Sequence, residues 1–268
     1  MRLGVVPFGT AILALAATEE PEFNAVDLAV VSPDMATLRR TVGAYRPHLD
    51  RVLRERYGIE LLGVYTYPAQ VLFCNRPFTG LADLAGRRVR TSGVGQSEVV
   101  QALGGTPVVT PFAQIVSAFR NGVVECAITG TLSGHAIGLY DVTTHLHTMA
   151  IGWGLSVFGA NAAAFAALPA DVQEQMRAGL RQLESEIWVA ADRETGEGLA
   201  CNAGRPQCSL ARRGNMILVP VSAADDERRR RLLTEVVLPR WVQRCGPDCV
   251  EAWNEHLAPV FGIEAEAY

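Results

Sequence analysis

The chain contains no lysine; all 24 of its basic residues are arginines. This excludes Schiff-base chemistry and every other step that needs a lysine amine, and the codon bias of a GC-rich genome accounts for it without invoking function. Long hydrophobic runs are missing too, since no apolar stretch reaches the roughly 18 residues of a membrane-spanning helix. The opening MRLGVVPFGTAILALAATEEPEF comes nearest. However, Pro7 and Gly9 interrupt it, only Arg2 precedes it, and Glu19, Glu20 and Glu22 follow at once. It reads as a core strand and the start of a helix, not as a signal peptide. Charged residues make up 19% and the net charge is −4, so there is no basic footprint and no nucleic-acid partner is expected. Enzyme fingerprints are lacking as well. Gly93-Val94-Gly95 misses the third glycine of a dinucleotide loop, and Gly130-Thr131-Leu132-Ser133-Gly134 is out of register for a nucleophile elbow. With no Walker sequence either, no cofactor and no catalytic residue are expected.

What is present is a globular composition, 49% apolar over 268 residues, enough for one large domain or two modest ones. Residues 80–130 carry the clearest pattern. RRVRTS reads as a strand, SEVVQALGG as a helix with a Gly-Gly stop, TPVVT as a strand, PFAQIVSAFRNG as a helix and VECAITG as a strand. This alternation predicts βαβ units and a mostly parallel sheet, with ligands beyond the carboxyl ends of its strands. Arg90 and Thr129 fall at two such ends.

Upstream, LGVVPFG, IELLGVYTY and VLFCNRP read as strands, and MATLRRTVGAYRPHLDRVLRERYG as a helical region interrupted near Pro47. Downstream, Ala170 to about Leu199 forms one helix on the order of 45 Å long, sufficient to brace two lobes. A strand, NMILVPVS, and further helices complete the chain. In the run from Asp225 to Arg231 acids precede bases, which suits a helix dipole and requires no ligand.

Six cysteines fall into two sets. Cys74 and Cys126 sit in apolar strands and are expected to be buried free thiols. Cys201, Cys208, Cys245 and Cys249 lie among polar residues at spacings unlike a zinc ribbon, and two disulfides are expected, with three pairings open. His145 and His147 fall on one side of a strand. Two ligands with no acidic partner nearby are too few for a metal, so no metal site is expected and both read as solvent-facing.

LADLAGRRVRTSG, LGGTPVVTPF, AFRNGVVECAITGT and ALPADVQEQM occur in an order and spacing that resemble the periplasmic solute-binding subunits of TRAP transporters, the DctP type. The resemblance covers most of the chain and is strongest from Ala69 to Met176. It implies an α/β, two-lobed periplasmic-binding-protein-like fold. Lobe I would occupy residues 1–68 and lobe II residues 69–152; residues 153–268 would hold an inter-lobe crossing, the long helix and elements shared by both lobes. It also implies an export signal and about one βαβ unit ahead of LGVVPFG, so either the reading frame extends upstream or lobe I has lost a strand, leaving a sheet edge bare.

The function implied is capture of a small organic acid and its delivery to the small and large membrane subunits of a TRAP transporter, in the periplasm. On this resemblance Arg90 is the carboxylate-binding arginine, Phe112 an aromatic ligand contact and Thr129 a polar cleft residue. Read from the residues alone, Arg90 is a strand-end arginine paired on the surface, Phe112 a core residue or a ligand contact, and Thr129 a strand-end cap. Trp153 is added as a stacking candidate, against the alternative of inter-lobe packing. Asn161 is either a ligand contact or a turn cap, and Arg76 either a second cationic wall or a solvated strand terminus. Gln114, Val116, Glu125 and Cys126 depart from the family pattern and bear on the ligand's polar contacts more than on the fold. The alternative function is an α/β enzyme that anchors a carboxylated metabolite on the same arginine.

Overall fold

The computed structural model describes residues 1–267, whose strands sort into two sheets. The smaller runs in the order β1 (Phe8–Ile12), β8 (Leu155–Asn161), β2 (Ile59–Thr66), antiparallel throughout. The larger runs β5 (Thr106–Val109), β4 (Arg88–Thr91), β6 (Cys126–Gly130), β3 (Gln70–Cys74), β7 (His145–His147), β9 (Ile217–Val219). The chain crosses from the small sheet to the large one through Tyr67–Ala69, and returns between Thr148 and Gly154. These crossings separate the two lobes.

The helices are α1 (Leu13–Ala16), α2 (Met35–Tyr57), α3 (Val94–Ala102), α4 (Ile115–Arg120), α5 (Thr131–Ala136) and α6 (Ala162–Ala166), then α7 (Ala170–Asn202), α8 (Ala223–Leu232), α9 (Leu238–Cys245), α10 (Pro247–His256) and α11 (Ala258–Phe261). The large sheet is mixed and not mostly parallel. β4 runs parallel to β5 and β6, and β7 to β9, whereas β3 is antiparallel to both β6 and β7. The β4–α3–β5–α4–β6 stretch contains the short helical crossovers that return a chain in parallel; β3 enters directly from the other lobe.

Helix α2 starts where the Asp34 carboxylate accepts the Thr37 N–H and ends at Gly58 in the left-handed region. It runs unbroken through Pro47, against the expected interruption. Burial of Tyr45, Leu49, Val52 and Leu53 beneath it outweighs the missing amide.

Helix α7 braces both lobes. Trp188 Nε1 donates to Val64 O of β2 at 2.8 Å, and Asn202 Nδ2 donates to Thr131 O of α5 at 3.0 Å. A Cβ at Gly198 would stand 2.4 Å from Leu132 N, so only glycine permits this approach. At the C-terminal side, α8 opens on a capping box between Ser222 and Asp225, with acids in its first turn and arginines in its last. Helices α10 and α11 then pack back on α2.

Cys201 is bonded to Cys208 and Cys245 to Cys249, as two disulfides were expected. The free-thiol expectation for Cys74 and Cys126 is wrong: they form a third disulfide. They stand directly opposite each other on β3 and β6, Cα atoms 4.1 Å apart, although 52 residues separate them. The solvent-facing reading of the histidines is also corrected, because both are buried. His147 Nε2 meets Asp225 Oδ2 at 3.3 Å, and its Nδ1 accepts the Met149 N–H at 3.1 Å. No cluster of three or more metal-ligating side chains occurs among the described residues.

Candidate functional site

Arg90 sits one residue from the end of β4, between β5 and β6, with only 5% of its surface exposed. Two backbone carbonyls hold its guanidinium, Thr110 O accepting from Nε at 2.8 Å and Ile128 O from Nη1 at 2.7 Å. No carboxylate partners it among the described residues. Burial draws its pKa down to about 10, which still leaves it charged at neutral pH. Its Nη2 has no hydrogen-bond partner among the described residues and is not sealed from solvent. A fixed cationic fork with free donors and no counter-ion suits an incoming carboxylate.

The neighbouring strands add polar atoms at the same end of the sheet. Thr129, next to the carbonyl that holds Arg90, is buried, yet its hydroxyl has no partner among the described residues and remains reachable. On β3, Gln70 pairs with Gly130 across the sheet and with Gly152 of the return crossing. Gln96, in the first turn of α3, accepts from Ser92 N at 2.9 Å and Ser92 Oγ at 3.0 Å, and its Nε2 donates to Gln70 Oε1 at 2.5 Å. Phe112 follows β5 on a single 3-10 turn and is 44% exposed, two residues beyond the carbonyl that tethers Arg90.

The other candidates have different partners. Trp153 is 3% exposed and donates through Nε1 to Ser32 O at 2.9 Å, so its indole is buried against the segment ahead of α2. Asn161 caps α6, its Oδ1 accepting from Ala164 N at 2.9 Å while its Nδ2 donates to Met1 O at 3.1 Å. Arg76 lies beyond the opposite end of β3, its side chain 68% exposed and paired with Glu125 at 3.0 Å. The shallow cleft there also holds Asp83 and Arg87. Its charged groups already have partners.

Three residues escaped the sequence reading: Gln70, Gln96 and Asp27. Gln96 had a local signal, a polar residue in the first turn of a helix that follows Ser92-Gly93. Gln70 and Asp27 had none, since each acts through residues distant in sequence. Asp27 accepts the backbone N–H groups of Trp153, Gly154 and Leu155 and so fixes the crossing that borders the site.

The model of DctP, the bacterial extracellular solute-binding protein family 7, matches residues 1–199. The ectoine-binding periplasmic protein TeaA of Halomonas elongata is 26% identical over 110 residues, which is 41% of this chain and only 32% of that protein's length. Among solved structures, DctP7 of Bordetella pertussis, an extracytoplasmic solute receptor binding pyroglutamic acid, superposes with a TM-score of 0.79 at 22% identity, covering 95% of this chain and 81% of its own. A TRAP solute-binding protein of Rhodoferax ferrireducens with bound malonate gives 0.79 at 18% identity, with coverages of 97% and 81%. The Halomonas elongata ectoine-binding protein gives 0.79 at 17%, with coverages of 98% and 84%. These likenesses establish the two-lobed fold, and the family match extends over three quarters of the sequence. The chain belongs to family 7 of the bacterial extracellular solute-binding proteins, the DctP family.

Proposed function

We propose that this protein is an extracytoplasmic receptor of a TRAP-type transporter, capturing a small organic acid through a carboxylate pair with Arg90. The observation that carries this reading is the buried guanidinium with two carbonyl tethers, free Nη2 donors and no anionic partner. An uncompensated buried cation is costly, and a ligand carboxylate would supply the missing charge. Relatives in the fold with bound pyroglutamic acid and malonate support the ligand class, and three disulfides fit an oxidising compartment.

In this reading lobe I ends at residue 68, lobe II spans residues 69–152, and the remainder crosses between them and braces both. Thr129 and Phe112 complete the wall around Arg90. The lobes close over the acid, and the membrane subunits of the transporter take it from the closed form unchanged. Calorimetric titration with small organic acids tests the proposal. Arg90→Ala should abolish measurable binding, and equal affinity in that variant would end the assignment.

A further inference from the structure

Helices α8 and α9 lie on one helical run that passes from lobe II to lobe I. At its start Asp225 Oδ1 accepts the Leu81 N–H at 2.8 Å, and Asp225 Oδ2 meets His147 of the large sheet. At its far end Trp241 Nε1 donates to Pro21 O at 2.8 Å, in the segment ahead of α2, and the Trp241 ring lies 5.9 Å from that of Trp253 in α10. Lobe I therefore carries α9. Lobe II carries α3, which links β4 to β5 and is tied to β4 where the Thr91 and Ser97 hydroxyls meet at 2.8 Å.

Among the described residues one hydrogen bond joins α3 to α9, from Arg244 Nη1 to Glu98 Oε1. Glu98 is 8% exposed, and its second oxygen is sealed from solvent without a hydrogen-bond partner. A buried carboxylate satisfied on one side only adds little to the stability of a fold, because its desolvation offsets most of the attraction. The pair bridges an open groove of about 650 Å³, with Val94, Ser97 and Val109 on one wall and Arg240 and Gln243 on the other. Val109 ends β5 and Val94 starts α3 after β4, so the groove lies at the end of the parallel pair β4–β5 where Arg90 stands. Closure of lobe I over that end narrows it.

Resting on the reading that the lobes close over an acid held by Arg90, we propose that Glu98 and Arg244 are positioning residues whose ion pair draws lobe I toward the ligand end of lobe II. The pair raises the share of molecules in the closed arrangement, and neither residue touches the acid. Apparent affinity scales with the fraction of receptor in the binding-competent arrangement. Weakening this clasp therefore weakens the binding of every acid by the same factor and leaves their ranking unchanged. Removing one partner alone would leave the other charge unpaired, so the clean change neutralises both.

The test pairs X-ray scattering of the ligand-free protein with calorimetry on pyroglutamate and malonate. The double variant Glu98→Gln, Arg244→Gln should have a larger radius of gyration than wild type. It should bind both acids about five- to tenfold more weakly, with the ratio of their affinities unchanged. Arg230→Gln, which removes an exposed pair within α8, should change neither reading. Should the double variant fail to fold, Glu98→Gln alone keeps an acceptor for Arg244 and should give smaller shifts in the same directions. An unchanged or smaller radius, or undiminished affinity, in a folded variant would overturn the proposal and make α3 and α9 one rigid body. A changed ratio between the two acids would overturn it as well, since the pair would then touch the ligand. Failure of wild-type protein to bind either acid, or undiminished binding in Arg90→Ala, would instead sink the receptor reading, and the ligand-free radius still decides the clasp.

Discussion

The carboxylate of Asp27 grips the backbone at Trp153. Oδ1 accepts the Trp153 N–H at 3.0 Å, and Oδ2 accepts those of Gly154 and Leu155 at 2.8 and 3.2 Å. Asp27 ends the 3-10 segment ahead of α2, and Trp153 lies on the crossing between lobes, so one side chain ties lobe I to the hinge beside the site.

Asp27→Asn should therefore destabilise the protein. An amide offers one acceptor in place of two and turns an NH2 toward backbone donors, and each orphaned buried N–H costs about 1–3 kcal/mol. Burial raises the Asp27 pKa to about 6, although the three N–H groups pull it down. The folded state then holds a proton that the unfolded state has released between pH 6 and about 4, so this group's contribution grows as pH falls through that window. Urea unfolding at pH 7 and pH 5 should show the difference between wild type and Asp27→Asn moving in favour of wild type at pH 5. The opposite movement would show that the three N–H groups outweigh burial.

The disulfide between Cys74 and Cys126 closes a loop of 52 residues in the centre of the large sheet. Loop entropy assigns such a cross-link about 4 kcal/mol. Replacing both residues with alanine should lower the unfolding free energy by about 2–5 kcal/mol under non-reducing conditions. Peptide mapping should recover this pair together with Cys201–Cys208 and Cys245–Cys249. A loss below about 1 kcal/mol would mean that the unfolded chain does not gain the expected freedom.

His147 and Asp225 lie 78 residues apart in sequence and meet in the core. Burial pushes the His147 pKa down, against the pull of Asp225, so the folded protein keeps the ring neutral where the unfolded chain protonates it. A histidine pKa depressed by folding contributes stability above its unfolded value near 6.5, and loses it as pH falls below that value. His147→Asn removes the titration and the bond to Asp225. Its stability deficit relative to wild type should be largest at pH 7 and shrink by pH 5, measured by urea unfolding at both. A deficit that grows on acidification would reverse the assignment of His147 as neutral.

Local pattern made the β4–α3–β5–α4–β6 stretch legible, because Gly104-Gly105, Thr110-Pro111 and Gly122 punctuate apolar runs of strand and helix length. The placement of Arg90 at a strand end followed from the same reading. What local pattern does not carry is register and long-range pairing. Cys74 faces Cys126 only because β3 runs antiparallel to β6, and the acid that partners His147 comes from the cap of α8. Both pairs read as bland when each residue was weighed by its own neighbours. Pro47 misled for the converse reason, since a local breaker yielded to the packing of its helix. The carbonyl tethers on Arg90 and the polarity of the Gln70–Gln96 pair likewise exist only once three strands and a helix are assembled.

Gly154 holds the return crossing in a left-handed conformation beside Gln70. It has φ of +80°, and a Cβ there would stand 3.0 Å from Gln70 Nε2 and 3.6 Å from the Tyr67 ring. Gly154→Ala should cost about 1–2 kcal/mol from the left-handed backbone alone, and its methyl group should also displace the Gln70 amide. Gly152→Ala serves as the control, because its Cβ would meet nothing nearer than Asp27 Oδ1 at 3.8 Å. Urea unfolding should show this loss in Gly154→Ala and near wild-type stability in Gly152→Ala. Equal stability of the two variants would show that the crossing accepts a side chain at Gly154.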